Sequence, residues 1–205
     1  KFLIVSNHPM GAADAIALYH TIYPARNDLF FFANELFVYL LGAFNDLLAP
    51  VVWNNEKETH SASKATLERL SVFFGNERPG ILFPSGRLSK LTFFGLWDRP
   101  WEKTPVALAK KYNFPLIPVY VEGRNSWFFY FASYINKQLR DVSQLNELFN
   151  KRGKNISITI GKPVNVNTLN DNSDIAIEQL RYKSESLRKK ALLKLNRYIY
   201  LRKYK

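Results

Sequence analysis

Four short apolar runs do most to restrict how this chain can fold. Phe2-Leu3-Ile4-Val5, Leu29-Phe30-Phe31-Phe32, Ile81-Leu82-Phe83 and Leu116 to Val121 show no alternation of apolar and polar residues. A strand with one wet face alternates, whereas a strand covered on both faces does not. The strands expected from this pattern are Lys1 to Ser6, Asp28 to Ala33, Gly80 to Phe83 and Leu116 to Val121. Pro50 to Trp53 and Ile156 to Ile160 are further strand candidates. Segments with helical spacing separate them. Helices are expected from Ala13 to Tyr23, from Asn34 to Leu48 and from Lys103 to Tyr112. Another starts at a Thr59 or Ser61 cap and carries Ala62, Ala65, Leu70 and Phe73. A long basic helix is expected from Ser173 to Tyr200. Strand and helix in turn predict an α/β fold, with a mostly parallel central sheet flanked by helices on both faces.

Length and punctuation set the organisation. The 205 residues suit one domain, 1–205, and the polar stretch Asn165 to Asp174 is too short to divide it. The chain opens on a strand without an initiator Met, so a native N-terminal segment is expected to be missing. No apolar run reaches the roughly 20 residues of a spanning helix. The nearest, Leu29 to Phe44, is interrupted by Asn34 and Glu35. There are no cysteines, which excludes disulfides, thiolate metal sites and a Cys nucleophile.

Two turns carry candidate chemistry. In Ser6-Asn7-His8-Pro9-Met10-Gly11-Ala12-Ala13-Asp14, a His follows the carboxyl end of a strand, where open α/β sheets bind ligands. On a continuous helix His8 and Asp14 would lie about 240° apart. Pro9 and Gly11 break the helix and permit a turn that brings them together. An Asp that accepts from one imidazole nitrogen leaves the other free to take a proton. The competing reading is an Asp that only caps the following helix. In Ile81-Leu82-Phe83-Pro84-Ser85-Gly86-Arg87, turn N–H groups and a guanidinium suit a phosphate, although a solvated Arg beside an ordinary turn reads equally well. Pro115 to Ser126 is a core strand running into polar residues. A Ser85-His8-Asp14 hydrolase triad is disfavoured, because Pro-Ser-Gly lacks the Gly-x-Ser-x-Gly elbow. His20 and His60 have no metal-ligand spacing and are assigned to structure.

Taken in order, these three segments resemble the glycerolipid (lysophospholipid) acyltransferase superfamily, which includes the 1-acylglycerol-3-phosphate acyltransferases. The resemblance rests on Asn7-His8 with Asp14, on Phe83 to Arg87 as a Phe-Pro-Glu-Gly-Thr-like block, and on the Ile117-Pro118-Val119 strand. Asp98-x-x-Trp101 and Gly123-Arg124-Asn125-Ser126 suit the hemolysin-like and lyso-ornithine-lipid acyltransferase branch. The resemblance implies a glycerol-phosphate-acyltransferase-like fold, His8 as general base and Asp14 as its partner. It implies substrate contacts from Asn7, Phe83, Pro84, Ser85, Gly86, Arg87 and Pro118. It implies no metal and no cofactor, with coenzyme A or acyl carrier protein thioester as acyl donor and a lysolipid as acceptor. Two departures stand out. Five residues separate His8 from Asp14 where the family has four, and Ser85 replaces the Glu of the second block.

The formal net charge of +12 and a pI near 9.8 favour anionic partners. A bilayer surface or an acidic acyl carrier protein is expected, at the cytoplasmic face of a membrane, with the protein peripheral or anchored. Leu187, Leu192, Leu195 and Ile199 run through the basic stretch Arg181 to Lys205, a pattern shared by interfacial helices and solvated tail helices. Trp127 to Phe131 is either a core element or a membrane-facing surface. A basic nucleic-acid- or lipid-binding module without catalysis is the alternative class. No nucleic-acid motif supports it, and nucleic acid is not an expected partner.

Overall fold

The computed structural model describes residues 1–34, 46–51, 60–93 and 95–188. The described elements are β1 (Leu3–Ser6), α1 (Ala12–Ile22), β2 (Phe30–Asn34), β3 (Leu48–Val51), α2 (His60–Gly75), β4 (Gly80–Leu82), β5 (Lys90–Thr92) and β6 (Gly95–Trp97). They continue with α3 (Thr104–Tyr112), β7 (Leu116–Glu122), α4 (Trp127–Ile135), α5 (Lys137–Asn150), β8 (Ser157–Ile160) and α6 (Ser173–Glu185).

The central sheet has six strands in the order β3-β2-β4-β1-β7-β8. All neighbours are parallel except β8, which runs antiparallel to β7. From β1 the chain moves out to β2 and β3, returns to β4, then crosses β1 to reach β7. Strand order therefore reverses around β1, and a crevice at the carboxyl end of β1 is where such a sheet binds ligand.

Period-two alternation sends successive side chains to two separate cores. On one face, Leu3, Val5, Phe30, Phe32, Leu82 and Leu116 pack on α2, α3 and α6. On the other, Ile4, Leu29, Ile81, Phe83, Val119 and Val121 pack on α1. Helix α1 buries Ala13, Asp14, Leu18 and Ile22, one stripe at helical spacing. Burial of a residue such as Leu18 contributes roughly 1.5–3 kcal/mol, and that stripe fixes Asp14 against the sheet.

The expected strands and most of the expected helices form within a residue or two of their predicted ends. Three differ. The helix expected from Asn34 to Leu48 meets strand residues at both ends, Asn34 in β2 and Leu48 in β3, and 35–45 lie outside the described residues. The strand expected at Pro50 to Trp53 already begins at Leu48, and over Leu48–Val51 it pairs with β2 from Leu48↔Phe31 to Val51↔Asn34. Trp53, like Thr59, lies outside the described residues; Ser61 is already inside α2 and so does not precede it as a cap. The basic helix ends its regular turns at Glu185, where the N–H of Ser186 bonds the Tyr182 carbonyl at 2.8 Å. Residues 189–205 are not described.

Candidate active site

Asn7 and His8 follow directly on β1. The strand ladder does not continue to them, but Asn7 replaces it with its side chain. Its Oδ1 accepts from the Val121 N–H at 2.8 Å, and its Nδ2 donates to the Val121 carbonyl at 2.9 Å. Both ends of the amide hold β7, so Asn7 positions the turn.

The His8 backbone is held from the other side. Its carbonyl accepts from the Ser89 N–H at 2.8 Å, and its own N–H points at Asp98 Oδ1 at 3.4 Å. The imidazole stacks on Phe83, with centroids 4.0 Å apart and planes 22° from parallel. Its Nδ1 lies 3.0 Å from Asp14 Oδ2. The His8 side chain is 18% exposed and the Asp14 side chain 0%.

The same Asp14 oxygen accepts two more bonds, from Met10 N–H at 2.8 Å and Gly11 N–H at 3.0 Å. One atom makes the contacts that both sequence readings of Asp14 call for: Oδ2 accepts from the Gly11 N–H at the start of α1 and faces His8 Nδ1. Gly11 makes this possible with φ of 82°, a conformation costly for residues with a Cβ. That turn also absorbs the extra residue between His8 and Asp14. An imidazole whose Nδ1 proton points at a carboxylate leaves its Nε2 as the free acceptor. Such a group can remove a proton from a hydroxyl.

The second block forms a turn after β4. The Gly86 N–H returns to the Phe83 carbonyl at 2.9 Å, and the Glu102 N–H bonds the Pro84 carbonyl at 3.0 Å. Ser85 is buried, and its hydroxyl donates to the Arg87 carbonyl at 2.9 Å and lies 3.4 Å from Asp98 Oδ1. It is engaged there rather than with His8, which agrees with the absence of a nucleophile elbow. Arg87 is exposed at the end of the turn.

Pro118 is not brought to His8. It pairs with Val5, three register positions before Val121, or about 10 Å along β7. Alternation places it on the α6 side of the sheet, opposite to Val119 and Val121, and its ring packs where a Cβ on Gly161 would lie. The contacts Pro118 makes here are with Gly161. Gly161 donates to the Pro118 carbonyl at 2.8 Å, Pro118 has no N–H to return, and β8 stops at Ile160.

Asp98 is the member of the site to which sequence reasoning gave no role. Its Oδ1 accepts from Ser89 Oγ at 2.9 Å, and its Oδ2 from Trp101 Nε1 at 2.7 Å. Arg181 of α6 donates to its backbone carbonyl at 2.9 Å. Burial pushes its carboxyl above the usual range, against the Trp101 and Ser89 bonds that favour the charged form. One carboxylate thus ties the His8 backbone to the Ser85 turn, where a Glu was expected and Ser stands. The signal for it was Asp98-x-x-Trp101, whose spacing lets the indole reach back to the carboxylate.

An open cleft of about 510 Å³ lies beside this turn, lined by Met10, Arg124, Asn125, Trp127, Lys151 and Lys154 among others. Met10 folds over Gly123 so closely that a Cβ there would fall 2.3 Å from its sulfur. Asn125 is buried in the cleft wall, and among the described residues neither end of its amide has a hydrogen-bond partner.

A family model described as Acyltransferase matches residues 1–198. The chain belongs to that acyltransferase family. The superfamily read from the three segments, and the branch read from Asp98-x-x-Trp101 and Gly123 to Ser126, are borne out by relatives as well. The chain is 32% identical over 171 residues to the lyso-glycine lipid O-acyltransferase of Phocaeicola vulgatus, covering 80% of this chain and 59% of that protein. It is 29% identical over 172 residues to the lyso-glycine lipid O-acyltransferase of Bacteroides thetaiotaomicron, covering 80% and 60%. This acyltransferase chain therefore spans about six-tenths of the length of the curated relatives it matches.

Proposed function

We propose that this acyltransferase moves a fatty acyl group from a thioester of coenzyme A or acyl carrier protein to the hydroxyl of a lysolipid. The observation that carries the proposal is His8 Nδ1 held 3.0 Å from the buried Asp14 carboxylate. His8 Nε2 takes the hydroxyl proton as the oxygen attacks the thioester carbonyl. The tetrahedral intermediate collapses, the carbon–sulfur bond breaks, and the thiolate leaves with a proton from the imidazolium. Ester and thiol are the products. Asp14 stabilises the transient imidazolium. No step of this mechanism calls on a metal or cofactor.

The lysolipid enters through the cleft at Met10. The relatives named as lyso-glycine lipid O-acyltransferases support an acceptor with an amino-acid headgroup. Exposed Arg87 and Arg124 supply cationic charge for such a group, and the orphaned amide of Asn125 can donate to its carboxylate. The reaction belongs at a membrane surface, with the protein peripheral or anchored at its cytoplasmic face. No helix of the described residues is long and apolar enough to cross a membrane.

A lipid-product assay with a lysolipid panel and both thioesters tests the proposal. Acyl transfer by the parent chain, lost by a factor of about 10³ or more in His8→Ala with an unchanged circular dichroism spectrum, is the expected result. Equal activity in both chains, or lipid binding without transfer by either, overturns the catalytic assignment.

A further inference from the structure

Helix α4 has two apolar sides, and among the described residues only one of them is covered. Phe129 and Ala132 are buried against the body of the protein. Trp127, Phe128, Phe131 and Tyr134 are 68%, 64%, 63% and 91% exposed, and Ile135 is exposed as well. At 100° per residue these five positions fall within an arc of about 120°. They form one continuous stripe along the helix.

The stripe is not needed to hold the helix. A single residue, Asn136, joins α4 to α5. The N-terminus of α4 is tied to α5 by Glu147, which accepts from the Ser126 N–H and hydroxyl and pairs with Lys151 at 2.9 Å. On α5, Val142 and Phe149 are also exposed, seven residues apart and hence on one face.

Residue type and charge select the occupant. A Trp-, Phe- and Tyr-rich stripe is the composition of a membrane interface, where an apolar ring body meets a polar edge. Residues 123–155 hold six basic residues, Arg124, Lys137, Arg140, Lys151, Arg152 and Lys154, against two acidic ones, Asp141 and Glu147. The Glu147 carboxylate is buried and already bound. The Arg124 guanidinium lies 5.9 Å from the centre of the Trp127 ring, which places positive charge at the start of the apolar stripe. Trp127 also lines the open cleft that contains Met10. A lipid leaving the docked surface would meet that cleft first.

We propose that the α4–α5 hairpin is the membrane-docking element, laying Trp127, Phe128, Phe131, Tyr134 and Ile135 into the interface of an anionic bilayer and setting the cleft mouth against it. This rests on the lipid-acyltransferase reading for its purpose but not for its measurement. The test is flotation with phosphatidylglycerol-containing vesicles and with pure phosphatidylcholine vesicles, at low and high salt. Parent chain, Phe128→Glu with Phe131→Glu, and the control Val72→Glu on exposed α2 are compared. The double variant alters only exposed side chains, and a circular dichroism melt checks its fold.

The parent and Val72→Glu should float with anionic vesicles. The double variant should bind at least about tenfold more weakly, since two buried rings are replaced by charges. The Trp127 emission, taken as the difference from Trp127→Phe, should move to the blue with vesicles. Equal flotation of parent and double variant overturns the proposal, as does a parent that ignores anionic vesicles. A double variant that dissolves a dimer yet still floats would assign the stripe to self-association instead. An assay below the critical micelle concentration separates this inference from the catalytic one. There the double variant should turn over a short-chain lysolipid as the parent does. Lost flotation in a protein with no acyl transfer at all would sink the catalytic reading and leave the docking surface standing.

Discussion

Replacing Asp14 by Asn gives the most discriminating test of the His8 turn. One oxygen, Oδ2, receives the His8 imidazole and two backbone N–H groups, from Met10 and Gly11. An Asn amide can seat its oxygen there and keep all three bonds. The flipped amide would set its NH₂ against two N–H donors, so it is excluded. The imidazole tautomer therefore survives the substitution. What is lost is charge: an ionised acceptor makes a hydrogen bond roughly twice as strong as a neutral one, a difference of about 1–2 kcal/mol. That corresponds to a fall in kcat of roughly 5- to 30-fold. Asp14→Ala removes the orientation too and should cost about 10³ or more, and His8→Ala a similar or larger factor. Steady-state kinetics against one lysolipid, with thiol release followed continuously, measures all three. If Asp14→Asn falls as far as His8→Ala, the claim that Met10 and Gly11 lock the tautomer is refuted. If it loses nothing, Asp14 is only a helix cap.

Three further outcomes follow from the packing and the charges. Leu18→Ala, at a fully buried position on the α1 stripe, should destabilise the protein by about 2–5 kcal/mol in chemical denaturation; a loss under 1 kcal/mol would show that α1 is not anchored by that stripe. Asp98 has its folded pKa raised from an ordinary 3.8 by burial, so its stabilising contribution is complete below that value and declines as pH rises towards the folded pKa. Asp98→Asn should flatten the pH dependence of stability above about 3.8, and parallel curves for the two proteins would contradict it. Glu147 has the opposite sign: burial raises its pKa, but the Lys151 and Ser126 bonds outweigh burial and leave it below its ordinary 4.5. Its contribution is present above that value and lost on acidification, so the stability gap between parent and Glu147→Gln should close as pH falls below about 4.5.

The sheet was readable because a strand buried on both faces announces itself without reference to anything distant. Leu3 to Val5, Ile81 to Leu82 and Leu116 to Val121 fall where their apolar runs fall. The β5–β6 hairpin was missed because Lys90–Thr92 and Gly95–Trp97 are three-residue strands with mixed composition, below the length at which period-two alternation can be seen. Helix α5 was missed for another reason: its covered side includes Ser143 and Glu147 rather than a plain apolar stripe, and it holds through the Glu147 bonds. In the site, His8 and Asp14 were legible because both lie in one turn. Asp98 was not, because its importance comes from contacts with residues 90 positions before it and 83 after it. The face that Pro118 takes was not legible for the same cause: a motif gives order along the chain, but the face of a strand is decided by register.

That division of faces bears on Ser85, where the resemblance led to the expectation of a Glu. The His8 ring, Phe83, Met10 and Asp14 belong to the α1 side of the sheet. The groups that hold the turn from behind, Asp98 and its partner Arg181, reach it from the loop before α3 and from α6. Asp98 lies within 3.4 Å of both the His8 N–H and the Ser85 hydroxyl. The Asp98 carboxylate, 13 residues on, thus already stands beside position 85. Restoring a Glu at 85 would bring a second carboxylate against a buried one. Like charges at that range disfavour joint ionisation, so Ser85→Glu alone should lower stability, whereas Ser85→Glu combined with Asp98→Asn should recover part of the loss. Additive losses in that double-mutant cycle would show that the two positions do not share one role.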